Sequence, residues 1–203
     1  TVALHDLLQA ASAQFNGRAE TDLSQIIRKT TFMWERLEYV LQRRGFSARH
    51  VRAVVGDRSL EMIRPGDEIK KLEVLAATAD SPAFLELARA FKRVRNIGKS
   101  QDLSPFETQD SFIEPFLTGG ADRSLFSEVR DREIAISNDI EHARFAAAFT
   151  EAAKFTPAVD RFFKEVLVMD PNQDLRAARL RLLKRLERLV LSLADVSEIV
   201  SED

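Results

Sequence analysis

The sequence predicts an all-helical bundle, and three observations predict it. The chain of 203 residues holds only 7 Gly and 6 Pro, while Leu, Ala, Arg and Glu dominate its runs, a composition that favours helix. Apolar residues recur at spacings of three and four through most of the chain. No alternating apolar–polar stretch of strand type runs longer than a few residues, and no internal repeat is evident. The terminal stretch from Asp174 to about Ile199 makes the case most clearly. At 100° per residue, Leu175, Leu182, Leu183, Leu186, Leu189, Val190 and Leu193 share one arc, and Arg181, Lys184, Arg185 and Arg188 share the opposite one, with only Glu187 nearby to offset them. Arg179 falls among the leucines, where an unpaired guanidinium is costly, so a buried carboxylate partner is expected.

In chain order, Val2 to about Phe15 reads as a short helix closed by Asn16-Gly17. Thr21 or Asp22 caps a helix running to Arg44 and ended by Gly45. Ser47 caps a short helix through Val55. Pro65-Gly66-Asp67 is a turn, with Asp67 placed to cap a helix carrying Ile69, Leu72 and Leu75. Ser81-Pro82 is an N-cap followed by Pro at the first helical position, opening a helix to about Lys99. Periodicity fades over residues 101–122, where Pro105, Pro115 and Gly119-Gly120 punctuate a connector with room for one helical turn. Helices resume over Arg123 to Asp139, Glu141 to Lys154 and Thr156 to about Val168, and Met169-Asp170-Pro171-Asn172 turns the chain into the terminal helix. Residues 1–100 and 123–203 are expected to form the two parts of one compact domain joined by that connector.

The absence of Cys removes disulfides and thiolate chemistry and fits a reducing compartment. No apolar run reaches the roughly 20 residues of a membrane span, so no membrane partner is expected. The chain opens on Thr1 and is expected to be a piece of something larger. Gly-rich phosphate loops and nucleophile elbows are missing, and His5, His50 and His142 lie far apart without ligand spacing. His5-Asp6 has the form of a metal-binding pair, but nothing completes such a site. No catalytic residue and no metal site are predicted.

The net charge of -2 hides segregation. Cations gather in Arg36 to Arg52, Arg89 to Lys99 and Arg176 to Arg188. On the helix after Pro82, Phe84, Leu87, Ala88, Phe91 and Val94 form the apolar stripe, and Arg89, Lys92, Arg93, Asn96 and Lys99 line the other side. Such a face suits single-stranded RNA, because guanidinium planes stack on unpaired bases or fork onto phosphates and an amide reads a base edge. Physics alone leaves a second reading open, a solvated face with Arg95 paired to an acid in the core. Arg43-Arg44, with Tyr39 one turn earlier, is a weaker candidate. Tyr39 or Phe46 could stack a base, although core packing is the expectation for both.

Four stretches carry a family resemblance. Phe32-Met33-Trp34-Glu35-Arg36-Leu37, with Leu41 through Ser47, is similar to "F-x-x-x-R-L-x-x-x-L-x-x-x-G-F-S"; Lys92 to Ile97 is similar to "K-R-V-x-N-I". Phe162 to Met169 is similar to "F-F-D-x-V-M-V-M", and Leu175 to Leu183 to "L-R-x-N-R-L-x-L-L". In this order they resemble the C-terminal region of the beta subunit of bacterial glycyl-tRNA synthetase, a DALR-type anticodon-binding fold. Ala178 stands where that family often carries Asn, and Lys164 where Asp is usual. The resemblance implies a cytoplasmic module, itself non-catalytic, that binds the anticodon arm of glycine tRNA for an ATP-dependent ligase. Its other partners would be the rest of the beta subunit and the alpha subunit. ATP and Mg²⁺ would bind elsewhere in the whole enzyme, with no cofactor in this piece. Arg93 and Asn96 are then expected to face bases. Lys92, Lys99 and the exposed cations of the last helix would meet phosphates, with Arg176, Arg43 and Arg44 as further contacts. The rivals are a helical scaffold for an acidic protein and an arginyl-type anticodon domain.

Overall fold

A computed structural model describes residues 2–14, 31–56 and 62–200, and within them every regular element is helical. The chain divides into two compact units, Thr1–Ala77 and Thr78–Asp203. The division falls near the restart at Ser81-Pro82 and not within residues 101–122, because that connector packs on the terminal helix of its own unit.

The first unit contains α1 (Leu4–Ala13), α2 (Thr31–Arg43), α3 (Ala48–Val55) and α4 (Pro65–Thr78, ending at the boundary). The expected start of the second helix, at Thr21 or Asp22, lies outside the described residues. Gly45 ends α2 as predicted. It takes φ +97°, a left-handed conformation that side chains disfavour, and its N–H bonds to Gln42 O at 2.9 Å. Ser47 caps α3 by accepting from the His50 N–H at 3.2 Å. Asp67 is not the cap of α4. The helix starts two residues earlier at Pro65, whose fixed φ suits a first position, and this leaves Asp67 within the first turn.

The second unit contains α5 (Pro82–Gly98), α6 (Ala121–Glu141), α7 (Phe145–Ala153), α8 (Thr156–Glu165) and α9 (Gln173–Leu191). Ser81 caps α5 through the Phe84 N–H, and Asn172 caps α9 through the N–H groups of Asp174 and Leu175. All seven apolar residues predicted for the last helix are buried, between 0% and 8% exposed. At about 1.5–3 kcal/mol for a fully buried aliphatic side chain, that seam is a large share of what fixes α9. The helix is shorter than predicted. It stops at Leu191, Ser192 forms the cap, and a separate 3₁₀ segment follows at Val196–Ile199, opened by Asp195 accepting from the Ser197 N–H. The connector holds three 3₁₀ turns instead of one helical turn, at Phe106–Thr108, Asp110–Phe112 and Glu114–Phe116, with Ile113 and Leu117 buried. No described helix is long and apolar enough to cross a membrane.

Candidate nucleic-acid interface

The second half of α5 carries the densest group of predicted contacts. Phe84, Leu87, Ala88, Phe91 and Val94 are buried as the apolar stripe, and Phe84 meets Phe149 of α7 with ring centroids 5.9 Å apart. Helical geometry then turns Arg89, Arg93, Asn96 and Lys99 outward, and all four are exposed, with Lys92 half-buried beside them.

What holds this end of α5 in place is the residue between Arg93 and Asn96. Arg95 donates from Nη1 to Glu187 Oε1 at 2.6 Å and from Nε to Asp195 Oδ2 at 3.0 Å. Burial works against its charge, but the hydrogen bonds to Glu187 and Asp195 outweigh that and raise the guanidinium above its ordinary value. Glu187 is fully buried and also pairs with Lys184 at 2.8 Å, and Lys184 Nζ donates to Gly98 O at 2.9 Å. A glycine at position 98 leaves room for this carboxylate: a Cβ there would lie 2.5 Å from Glu187 Oε2 and push it aside. Arg95 thus does have the acidic partners that the solvated-face reading anticipated. The same pairing locks the last turn of α5 to α9 and to the segment at Asp195, and so fixes the outward direction of Arg93, Asn96 and Lys99.

Arg93 reaches across to α8. Its Nη1 donates to Asp160 Oδ1 at 3.2 Å, and its Cζ lies 4.2 Å from the centroid of the Phe163 ring. Sequence reasoning gave neither Asp160 nor Phe163 a part in the RNA-binding face. The signal available was the Phe162-Phe163 pair following an acid on one short helix, where only one ring is needed by the core. Phe162 is fully buried and Phe163 half-buried.

The second basic face differs from its prediction. Arg181, Lys184, Arg185 and Arg188 are half-buried, not exposed, because the connector and α6 meet the three arginines and the end of α5 meets Lys184. Arg181 donates to Phe112 O at 3.4 Å, and Arg188 to Thr108 Oγ1 at 3.2 Å. Arg185 binds Glu133 of α6 at 2.6 Å and also pairs with Asp110. Burial opposes the charge of Arg185, yet the hydrogen bonds to Glu133 and Asp110 raise it above its ordinary value. Glu187, expected among these cations on the surface, lies on the buried side with Arg95.

Arg179 has the partners its position demanded. It is 7% exposed and bonds Asp122 of α6 at 3.1 Å, Asp170 at 3.0 Å and Leu167 O at 2.9 Å. Ala178 is fully buried and packs as an apolar core residue. Arg176 is half-buried on the first turns of α9. Arg43 and Arg44 are exposed at the end of α2, in the first unit, whereas Arg93, Asn96, Lys99, Lys92 and Arg176 belong to the second. Tyr39 is not a core residue, at 51% exposed and with Arg36 Cζ 5.2 Å from its ring, while Phe46 is half-buried.

Residues 86–196, from the middle of α5 to the segment after α9, match the family model described as DALR anticodon binding domain. Proteins named glycine–tRNA ligase beta subunit are similar over nearly the whole chain. That of Ralstonia nicotianae is 32% identical over 202 residues, 98% of this chain and 28% of the relative. That of Desulforamulus reducens is 30% identical over 204 residues, 99% of this chain and 28% of the relative. That of Thiobacillus denitrificans is 31% identical over 206 residues, 98% of this chain and 27% of the relative. The chain therefore spans little more than a quarter of the length of these curated relatives.

Proposed function

Since the chain belongs to the DALR anticodon binding domain family, we propose that it binds the anticodon arm of glycine tRNA as one part of a glycine–tRNA ligase beta subunit. The observation that carries this reading is the outward face of α5. Arg93, Asn96 and Lys99 are exposed there, on a helix end held rigid by the Arg95–Glu187–Asp195 network. A fixed array of guanidinium, amide and ammonium groups suits an unpaired RNA loop, whose bases present faces and edges and whose phosphates present charge. The module selects and positions the tRNA, and the bond-forming chemistry takes place elsewhere in the enzyme. Activation of glycine with ATP and Mg²⁺ belongs to the parts of the ligase beyond this chain. The remaining beta subunit and the alpha subunit are its protein partners, in the cytoplasm. Lys92 and Lys99 meet phosphates, and Arg176, Arg43 and Arg44 are further contacts to the anticodon arm.

The test is binding of a glycine-tRNA anticodon stem-loop across a salt series, with an arginine-tRNA stem-loop alongside. Affinity is expected to fall as salt rises, by about 0.7 log units per log unit of salt for each single-strand phosphate neutralised. The glycine stem-loop is expected to bind more tightly than the arginine one. Flat salt dependence would favour a scaffold for protein partners, and a preference for the arginine stem-loop would reassign the tRNA.

A further inference from the structure

The pose of Arg93 limits what its guanidinium can do. The Arg93 Cζ lies over the Phe163 ring, 4.2 Å from its centroid. Phe163 is itself braced by the fully buried Phe162, ring centroids 5.4 Å apart in an edge-to-face arrangement. Asp160 takes part of the in-plane edge, accepting from Nη1 at 3.2 Å, and offsets the charge. The Arg93 side chain nevertheless stays 47% exposed and that of Asp160 58%. About half of the Arg93 side chain is therefore left to solvent and to a ligand.

A guanidinium meets RNA in two ways. Its N–H fork grips a phosphate, which requires the edge and the charge, or its flat face stacks on a base, which requires an open face. Asp160 handicaps the first and leaves the second untouched. We infer that Arg93 is a stacking platform for one unpaired nucleobase, the middle layer of a Phe163–Arg93–base pile, with Asp160 as a positioning residue that fixes the plane of the guanidinium. This rests on the RNA-binding reading above and adds the chemistry of the contact: the flat face of a base and not a phosphate. Asn96, one turn further along the same exposed face, is then placed to meet the edge of that base or its neighbour.

The test compares two RNA hairpins with identical stems, one with a natural unpaired loop and one whose loop is abasic, so that phosphates are kept and base faces removed. The full chain is expected to prefer the loop with bases by about tenfold, within the range for one stacked base. Arg93→Lys keeps the charge but not the plane and is expected to abolish that preference with little change in the salt slope. Phe163→Leu is expected to do the same. Asp160→Asn keeps an acceptor for the Nη1 N–H and removes the negative charge, so it is expected to keep the preference and to steepen the slope by up to about 0.7 as the guanidinium charge becomes available to a phosphate. Arg93 and Asp160 are both half exposed, so Arg93→Lys and Asp160→Asn decide the matter even where Phe163→Leu folds poorly. A preference for bases that survives Arg93→Lys would overturn the inference, as would an Arg93→Gln variant that keeps the preference but flattens the slope by about 0.7. A parent chain that binds both hairpins equally overturns this inference alone. One that binds neither overturns the RNA-binding reading with it.

Discussion

The basic faces of α5 and α9 look alike in the sequence and behave differently in the fold. Each places cations opposite an apolar stripe. On α5 those cations stand at the surface. On α9 the arginines and lysine are bound within the molecule by Glu133, Asp110, Thr108, Phe112 and Gly98. The difference comes from what lies over each face. The connector's 3₁₀ turns lie on α9 and bring acids and carbonyl oxygens to its cations, so the charge there is spent on holding the fold. Over the outer face of α5, Asp160 on the neighbouring helix approaches and engages Arg93, while Arg89, Asn96 and Lys99 stay exposed. A row of cations on a helix therefore shows charge density, while the covering segment decides whether the charge is available to a ligand.

This contrast can be broken or sharpened by substitution. The largest effect is expected for Arg179→Ala, which strands Asp122 and Asp170, one of them fully buried. Loss of a buried partner of this kind costs about 3–5 kcal/mol, read as a fall in the denaturation midpoint, and an unchanged midpoint would refute the anchoring role. Gly98→Ala is next. A methyl 2.5 Å from Glu187 Oε2 forces that carboxylate off Arg95 and Lys184, and overpacking of this order costs about 1–3 kcal/mol. Thermal unfolding measures it, and Gly98→Ala should also loosen the end of α5 that carries Asn96. Arg185→Ala should cost about 1–2 kcal/mol through lost charge-assisted hydrogen bonds, with faster proteolysis within residues 101–120 as the local sign that the connector has come free.

The smallest effect is electrostatic. The hydrogen bond from Lys154, with Arg132 added, holds the Glu151 carboxyl below the ordinary glutamate value. A carboxylate depressed in the folded state stabilises it above its unfolded pKa and loses that contribution as pH falls through the folded one. Acid titration of stability should therefore fall less steeply in Glu151→Gln than in the parent, by about 0.5 kcal/mol at most for so exposed a pair.

Much of this was legible in the residues. The leucine arc of α9 required a buried face, and Arg179 within it required an acid, though not which acid: Asp122 lies 57 residues away. The caps at Ser47 and Ser81 were readable because their chemistry is local. Three features were not. That Arg95 could pair with a core acid was open from the sequence, but which acids it meets, Glu187 and Asp195, is set only by their tertiary approach. Residues 101–122 look irregular because 3₁₀ turns have no 3.6-residue period, so their role in covering α9 left no pattern. The platform beneath Arg93 pairs residues of α5 and α8, and no periodicity within one helix can signal it.

In the function we propose, the exposed face of α5 meets RNA while the covered face of α9 holds the fold. The direct measurement sets Arg93→Ala/Asn96→Ala beside Arg185→Ala/Arg188→Ala, scoring RNA hairpin affinity per folded molecule together with the melting temperature. The α5 pair is expected to lose tenfold or more in affinity with a melting shift of about 2 °C or less, and the α9 pair to lose stability with affinity retained. Loss of RNA affinity in the folded α9 variant, with the α5 variant binding as the parent does, would contradict the account.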